Sequence, residues 1–303
     1  MTAFERARTF IYRSARPLDL ARWQFHFEGG SREAVLTALA AYQNEDGGFG
    51  HAIEPDFWNP NSTPIGTWAA ACILREIGME EVSHPVFAGL LRYLDSGADF
   101  SAEHDQWLNA VPSNNDHPHA VWWEWTDNEN FRYNPSAMLG GFIVRYAERE
   151  SGLYEKGVRI VKEAAQWLEQ NTVLQDDILN CYAELYRCLI ETDVNAVDMA
   201  WFGALVIERV NGCICREPER WFTDYVPKPS VFIDGPDSPF YAGNEELVQT
   251  ECRLILEQQQ PDGAWPVTWR WWNDYKEFEI AANWWKSHFI IGNIRYLKSF
   301  GFI

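Results

Sequence analysis

A seven-residue pattern occurs near both ends of the chain: Gln43-Asn-Glu-Asp-Gly47-Gly-Phe49 and Gln259-Gln-Pro-Asp-Gly263-Ala-Trp265. Each has the form glutamine, three residues, glycine, one residue, aromatic. Each has an aliphatic residue four positions before the glutamine, Leu39 and Ile255, and each follows a run with helical apolar spacing. A glutamine near a helix C-terminus can bond exposed carbonyls, a glycine permits a left-handed turn, and an aromatic ring there covers the next helix. Such a joint, used twice, constrains the fold to helices connected in a repeated way. Two weaker echoes, Tyr93-Leu94 and Trp167-Leu168, fall within helical runs and lack the glutamine-glycine-aromatic tail.

Helical periodicity dominates the rest of the sequence, and strand-type alternation is nearly absent. The spacing predicts eleven helices, over residues 3–14, 18–27, 31–43, 62–78, 85–95, 135–150, 157–170, 176–191, 195–211, 244–260 and 278–299. Ser31, Asn134 before Pro135, and Asn244 before Glu245 and Glu246 read as helix starts. The fold class is all-α. Two connections exceed the usual 12–15 residues or so of a plain loop. Residues 97–134 hold seven Asp or Glu and no Lys or Arg before Arg132, and residues 217–243 hold five prolines. Their aromatic content argues for ordered loops.

The repeated pattern resembles the QW motif of squalene-hopene cyclases and the related repeat of protein prenyltransferase β subunits. That resemblance implies a single α/α toroid over residues 1–303, with about six helical hairpins and the two long loops over one end. It does not carry the chemistry with it. The Asp-x-Asp-Asp acid motif of class II cyclases does not occur in the chain, and Asp176-Asp177-Ile-Leu-Asn180 lacks the last acid of the diphosphate-binding motif. Asp176 and Asp177 read instead as first-turn acids of a helix. Trp284-Trp285-Lys286-Ser287-His288 is similar to the helix that supplies the prenyltransferase zinc histidine, but no Asp-x-Cys precedes it. No metal and no cofactor is therefore assigned.

Charge narrows the partners. Forty-four acidic against 25 basic residues give a formal net charge of -19, the wrong sign for nucleic-acid phosphates or anionic lipid. The first twenty residues alternate charged and apolar types, neither a secretory signal nor a membrane span, so a cytoplasmic location is expected. The six cysteines lie in apolar surroundings without zinc spacing and read as reduced structural thiols.

Three constellations compete as the functional site. The first is His51, Glu54 and Asp56, just before Trp68. The second is Asp116, His117 and His119 with Trp122, Trp123, Glu124 and Trp125. The third is Trp269, Trp271, Trp272 and Asp274 with Trp284, Trp285 and His288. Ten of the sixteen tryptophans fall in residues 107–125 and 265–285, and aromatic faces suit both a hydrocarbon chain and the apolar face of a sugar. The leading expectation is a small-molecule or oligomeric ligand of isoprenoid type in an aromatic-lined central cavity, with Glu54, Asp56, Asp116, Glu124 and Asp274 as candidate catalytic groups. Of the other residues, His51, Trp68, His117, His119, Trp123, Trp125, Trp272, Trp284, Trp285 and His288 would contact that ligand. A carbohydrate-active toroid would use two of the carboxylates as acid and base, with Glu124 first to test. A third reading is a non-catalytic binding or scaffold protein. Oligomeric state is left open.

Overall fold

The computed structural model describes residues 1–127 and 131–303. Glu129, one of the seven acids of the first long connection, lies outside them. Among the described residues the protein is helical, with one small antiparallel ribbon, β1 (Phe100–Ser101) and β2 (Gln106–Trp107). The helices are α1 (Ala3–Ser14), α2 (Pro17–Phe27), α3 (Arg32–Ala40), α4 (Pro64–Glu76), α5 (Pro85–Ser96), α6 (Ser136–Tyr146), α7 (Gly152–Gln170), α8 (Asp176–Ile190), α9 (Met199–Cys213), α10 (Pro229–Phe232), α11 (Glu245–Gln258) and α12 (Phe278–Ser299). No described helix is long and apolar enough to cross a membrane.

All eleven expected helices are present, and caps explain two of the starts that differ. α7 starts earlier than its apolar spacing suggests because the Ser151 hydroxyl accepts the Tyr154 amide. α9 starts later, after Asp198, whose carboxylate accepts the Ala200 and Trp201 amides. Ser31 accepts the Ala34 amide as expected. Asn244 directly precedes α11 as expected, although its side chain donates back to the Phe240 carbonyl and does not cap the helix. Pro135, and not Asn134, directly precedes α6, and the Asn134 side chain donates to Asp177. The long connections carry local order that periodicity does not show, with 3-10 turns over residues 112–116, 121–123 and 218–220, and α10.

The chain divides into two compact units, Leu39–Gly212 and Met1–Ala38 with Cys213–Ile303. In the first, α4, α6 and α8 run in the same direction. At one end Arg75 and Arg145, in the last turns of α4 and α6, both pair with Glu191 just past α8. At the other end Asn134, before α6, meets Asp177 in the first turn of α8 at 3.0 Å. Arginines in last turns and acids in a first turn also complement the helix dipoles. α7 packs antiparallel on α6, with so little space that a Cβ on Gly157 would lie 2.5 Å from Ile143.

The unit holding the chain ends repeats this scheme. Arg16, before α2, lies 5.2 Å from the Trp284 ring near the start of α12. Lys298, in the last turn of α12, lies 5.4 Å from the Phe27 ring at the end of α2. α2 and α12 are therefore parallel neighbours, and α1 packs on both.

The two seven-residue joints share one geometry. Gln43 Nε2 donates to the Gly47 carbonyl and to the Val86 carbonyl in the first turn of α5, both at 2.9 Å. Gln259 Nε2 donates to the Gly263 carbonyl and to the Ala3 carbonyl in the first turn of α1, again at 2.9 Å. Asp46 and Asp262 each accept the amide two residues on at 2.9 Å. Gly47 and Gly263 have φ of 96° and 97°. The glutamine thus grips the start of a different helix, where the sequence suggests the exposed carbonyls of the helix it ends. Trp265, fully buried, donates its indole N–H to the Ile255 carbonyl at 2.8 Å, and the Ile255 side chain is itself buried.

Candidate functional site

In the Leu39–Gly212 unit, two of the three predicted constellations come together. The Trp58 amide donates to Pro118 and the Ala120 amide to Asp56, both at 2.8 Å, and Phe57 bridges His119. Glu54 and Asp56 are buried in this seam, and Phe57 meets Trp123 edge-on at 5.6 Å. Glu54 accepts the Asp56 amide at 2.7 Å. His119, also buried, donates from Nδ1 to the His117 carbonyl at 2.6 Å. Asn59 and Asn114, both buried and both missed from sequence, lock the seam through a 3.0 Å bond, and Asn114 donates on to the Trp123 carbonyl.

The other members stand outside that seam. His51, at φ 56°, is exposed and bonds Asn44 in the joint at 2.9 Å. Asp116 and Glu124 are exposed, and His117 is half-buried. Asn115 brackets the backbone of half-buried Trp125 at both its amide and its carbonyl. Trp68 lies in the second turn of α4, half-buried, and its indole nitrogen, like that of Trp123, is buried without a hydrogen-bond partner. Among the described residues no three His, Cys, Asp or Glu gather as a metal set.

The third constellation lies in the unit with the chain ends. Trp285 and Phe289, one turn apart on α12, stack at 5.9 Å. Trp269 meets them at 5.4 and 5.7 Å, and Tyr225 meets Trp269 at 5.6 Å. These residues form one aromatic surface, with Trp269, Trp285 and Phe289 half-buried. Trp271 is buried and meets Phe278 edge-on at 6.0 Å. Trp272, at φ 60°, is 75% exposed, and Asp274 is exposed beside it.

Beside that surface is a charged group that the sequence reading missed, apart from His288. Asp19 is fully buried, 2.8 Å from Arg16 and 3.0 Å from Arg22, and Arg22 approaches His288 Nδ1 at 3.5 Å. His288 itself is exposed, and Trp284 covers Arg16. Burial pushes the Asp19 carboxyl up, but the charges of Arg16 and Arg22, with His288, outweigh it and hold it below the usual carboxylate range. Residues 16, 19 and 22 follow three-residue helical spacing, the one signal that could have placed them on a common face.

A second buried acid in this unit, Glu251 on α11, accepts the Ser230 amide and hydroxyl at 2.8 and 2.5 Å. Burial raises its pKa and lowers that of nearby Lys228.

What this region offers is recognition: aromatic faces for an apolar body, next to fixed charge. Comparisons with protein-family models, curated proteins and solved structures find no match.

Proposed function

We propose that this chain is a divergent single α/α toroid of the terpenoid cyclase and protein prenyltransferase superfamily, and that it binds a hydrophobic, isoprenoid-type ligand. The fold part of this reading is supported by the parallel rows α4–α6–α8 and α2–α12, each packed with antiparallel helices, and by the shared geometry of the Gln43 and Gln259 joints. One observation carries the functional part. Trp269, Trp285 and Phe289 form a continuous, half-exposed aromatic surface beside Arg22 and His288. An aromatic face of this kind favours an apolar chain, and would favour a carbocation by cation–π attraction.

A carbohydrate ligand is the second reading. It is favoured by the buried Glu54 and Asp56 beside Phe57 and Trp123. A thermal-shift screen of prenyl diphosphates against oligosaccharides separates the two, because a ligand bound only by the native state raises the melting temperature. A shift with the prenyl compounds alone is expected. A shift with oligosaccharides alone would transfer the assignment to the second reading.

A further inference from the structure

The Arg16–Asp19–Arg22 group sits immediately after α1, and α1 is held at both ends by the C-terminal part of the chain. At its start, Gln259 donates to the Ala3 carbonyl at 2.9 Å while Arg6 Nε donates back to Gln259 Oε1 at 2.9 Å. Gly263 lies against the same turn. At its end, Asn283 on α12 donates to the Ser14 carbonyl at 3.0 Å. The next residue on α12, Trp284, covers Arg16. Two consecutive α12 side chains therefore hold two positions that bracket the turn between α1 and α2.

We infer that Gln259 and Asn283 are positioning residues for the charged end of the proposed site: they clamp α1 so that Arg16 and Asp19 are presented to α12 beside Trp284 and His288. The inference rests on the reading of this region as a ligand site, but its mechanical part does not depend on the ligand. Gln259 contributes through its amide donor, since the carbonyls of Ala3 and Gly263 both accept from it. Asn283 contributes through a donor as well. Replacing either amide by a carboxylate removes the donor at nearly constant shape and sets like-signed oxygens together.

Hydrogen–deuterium exchange on the full chain tests the clamp, with Gln259→Glu, Asn283→Asp and, as comparison, Gln43→Glu at the other joint. The first two are expected to raise exchange at least tenfold over residues 3–14 and on into residues 16–22, leaving residues 85–96 as in the parent. Gln43→Glu is expected to do the reverse. Farnesyl diphosphate affinity, measured alongside, is expected to fall tenfold in the first two variants at temperatures well below their melting points. Residues 16–22 keeping parent-level protection while 3–14 loosen would overturn the inference, as would one exchange pattern for all three variants. If the parent does not bind farnesyl diphosphate, the ligand reading fails, and the exchange pattern still decides the clamp.

Discussion

The backbone of Gly263 lies so close to that of Arg6 that a Cβ at position 263 would stand 2.3 Å from the Arg6 carbonyl oxygen. Gly47 repeats the arrangement against Gly89 at 2.1 Å. Both glycines are also left-handed, so an alanine there adds backbone strain to a steric clash with main chain, which cannot rotate away. Gly263→Ala and Gly47→Ala should each destabilise their unit by about 2–4 kcal/mol. Gly97→Ala is the control: φ is 74°, but nothing lies within 4 Å of the added carbon, so strain alone costs about 1 kcal/mol. Urea unfolding of the three variants gives the comparison, and equal losses would remove the steric role assigned to the joints.

Asp19 neutralises two buried arginines. Asp19→Ala leaves both without that partner and should cost about 3–5 kcal/mol. Its folded pKa is depressed, so its stabilisation is fully present above the unfolded carboxylate value and lost as pH falls through the folded one. Urea midpoints below about pH 4 should therefore drop more steeply in the parent than in Asp19→Asn. Parallel curves would show that Asp19 does not titrate as an ion-paired carboxylate.

Glu251 has the opposite sign. Burial raises its folded pKa, so its contribution is fully present below the unfolded value and is lost as pH rises through the folded one. Glu251→Gln stays uncharged throughout and keeps an acceptor for Ser230. Its stability should exceed the parent's increasingly as pH rises above the ordinary glutamate range. A variant that weakens the protein equally at every pH would show that the charge itself is well compensated.

The helices were legible because apolar periodicity and capping residues act locally, and the joints because a positive-φ glycine leaves a mark that survives in sequence. The partners of Gln43 and Gln259 were not legible: Val86 and Ala3 are remote in sequence, and nothing in either heptad names the helix it grips. Glu54, Asp56, His119 and Trp123 were each singled out, but their meeting depends on the Phe57–His119 pairing of two loops, which has no periodic signal. Arg16, Asp19 and Arg22 were passed over because charges on an amphipathic helix ordinarily face water, whereas here the three are buried together. Asp116, Glu124 and Asp274 sit in acidic, aromatic stretches that look like active-site loops, yet all three are exposed.

The proposed function rests on the aromatic surface formed by Trp269 with Trp285 and Phe289 of α12, and comparison with Trp285→Ala makes tryptophan emission report on it. Farnesyl diphosphate titrated into the protein should quench emission saturably, and Trp285→Ala should weaken its binding at least tenfold. Trp272→Ala, which removes an exposed ring outside that surface, should leave the affinity within twofold of the parent. Saturable binding of an oligosaccharide that Trp285→Ala does not affect, with no response to farnesyl diphosphate, would contradict the account.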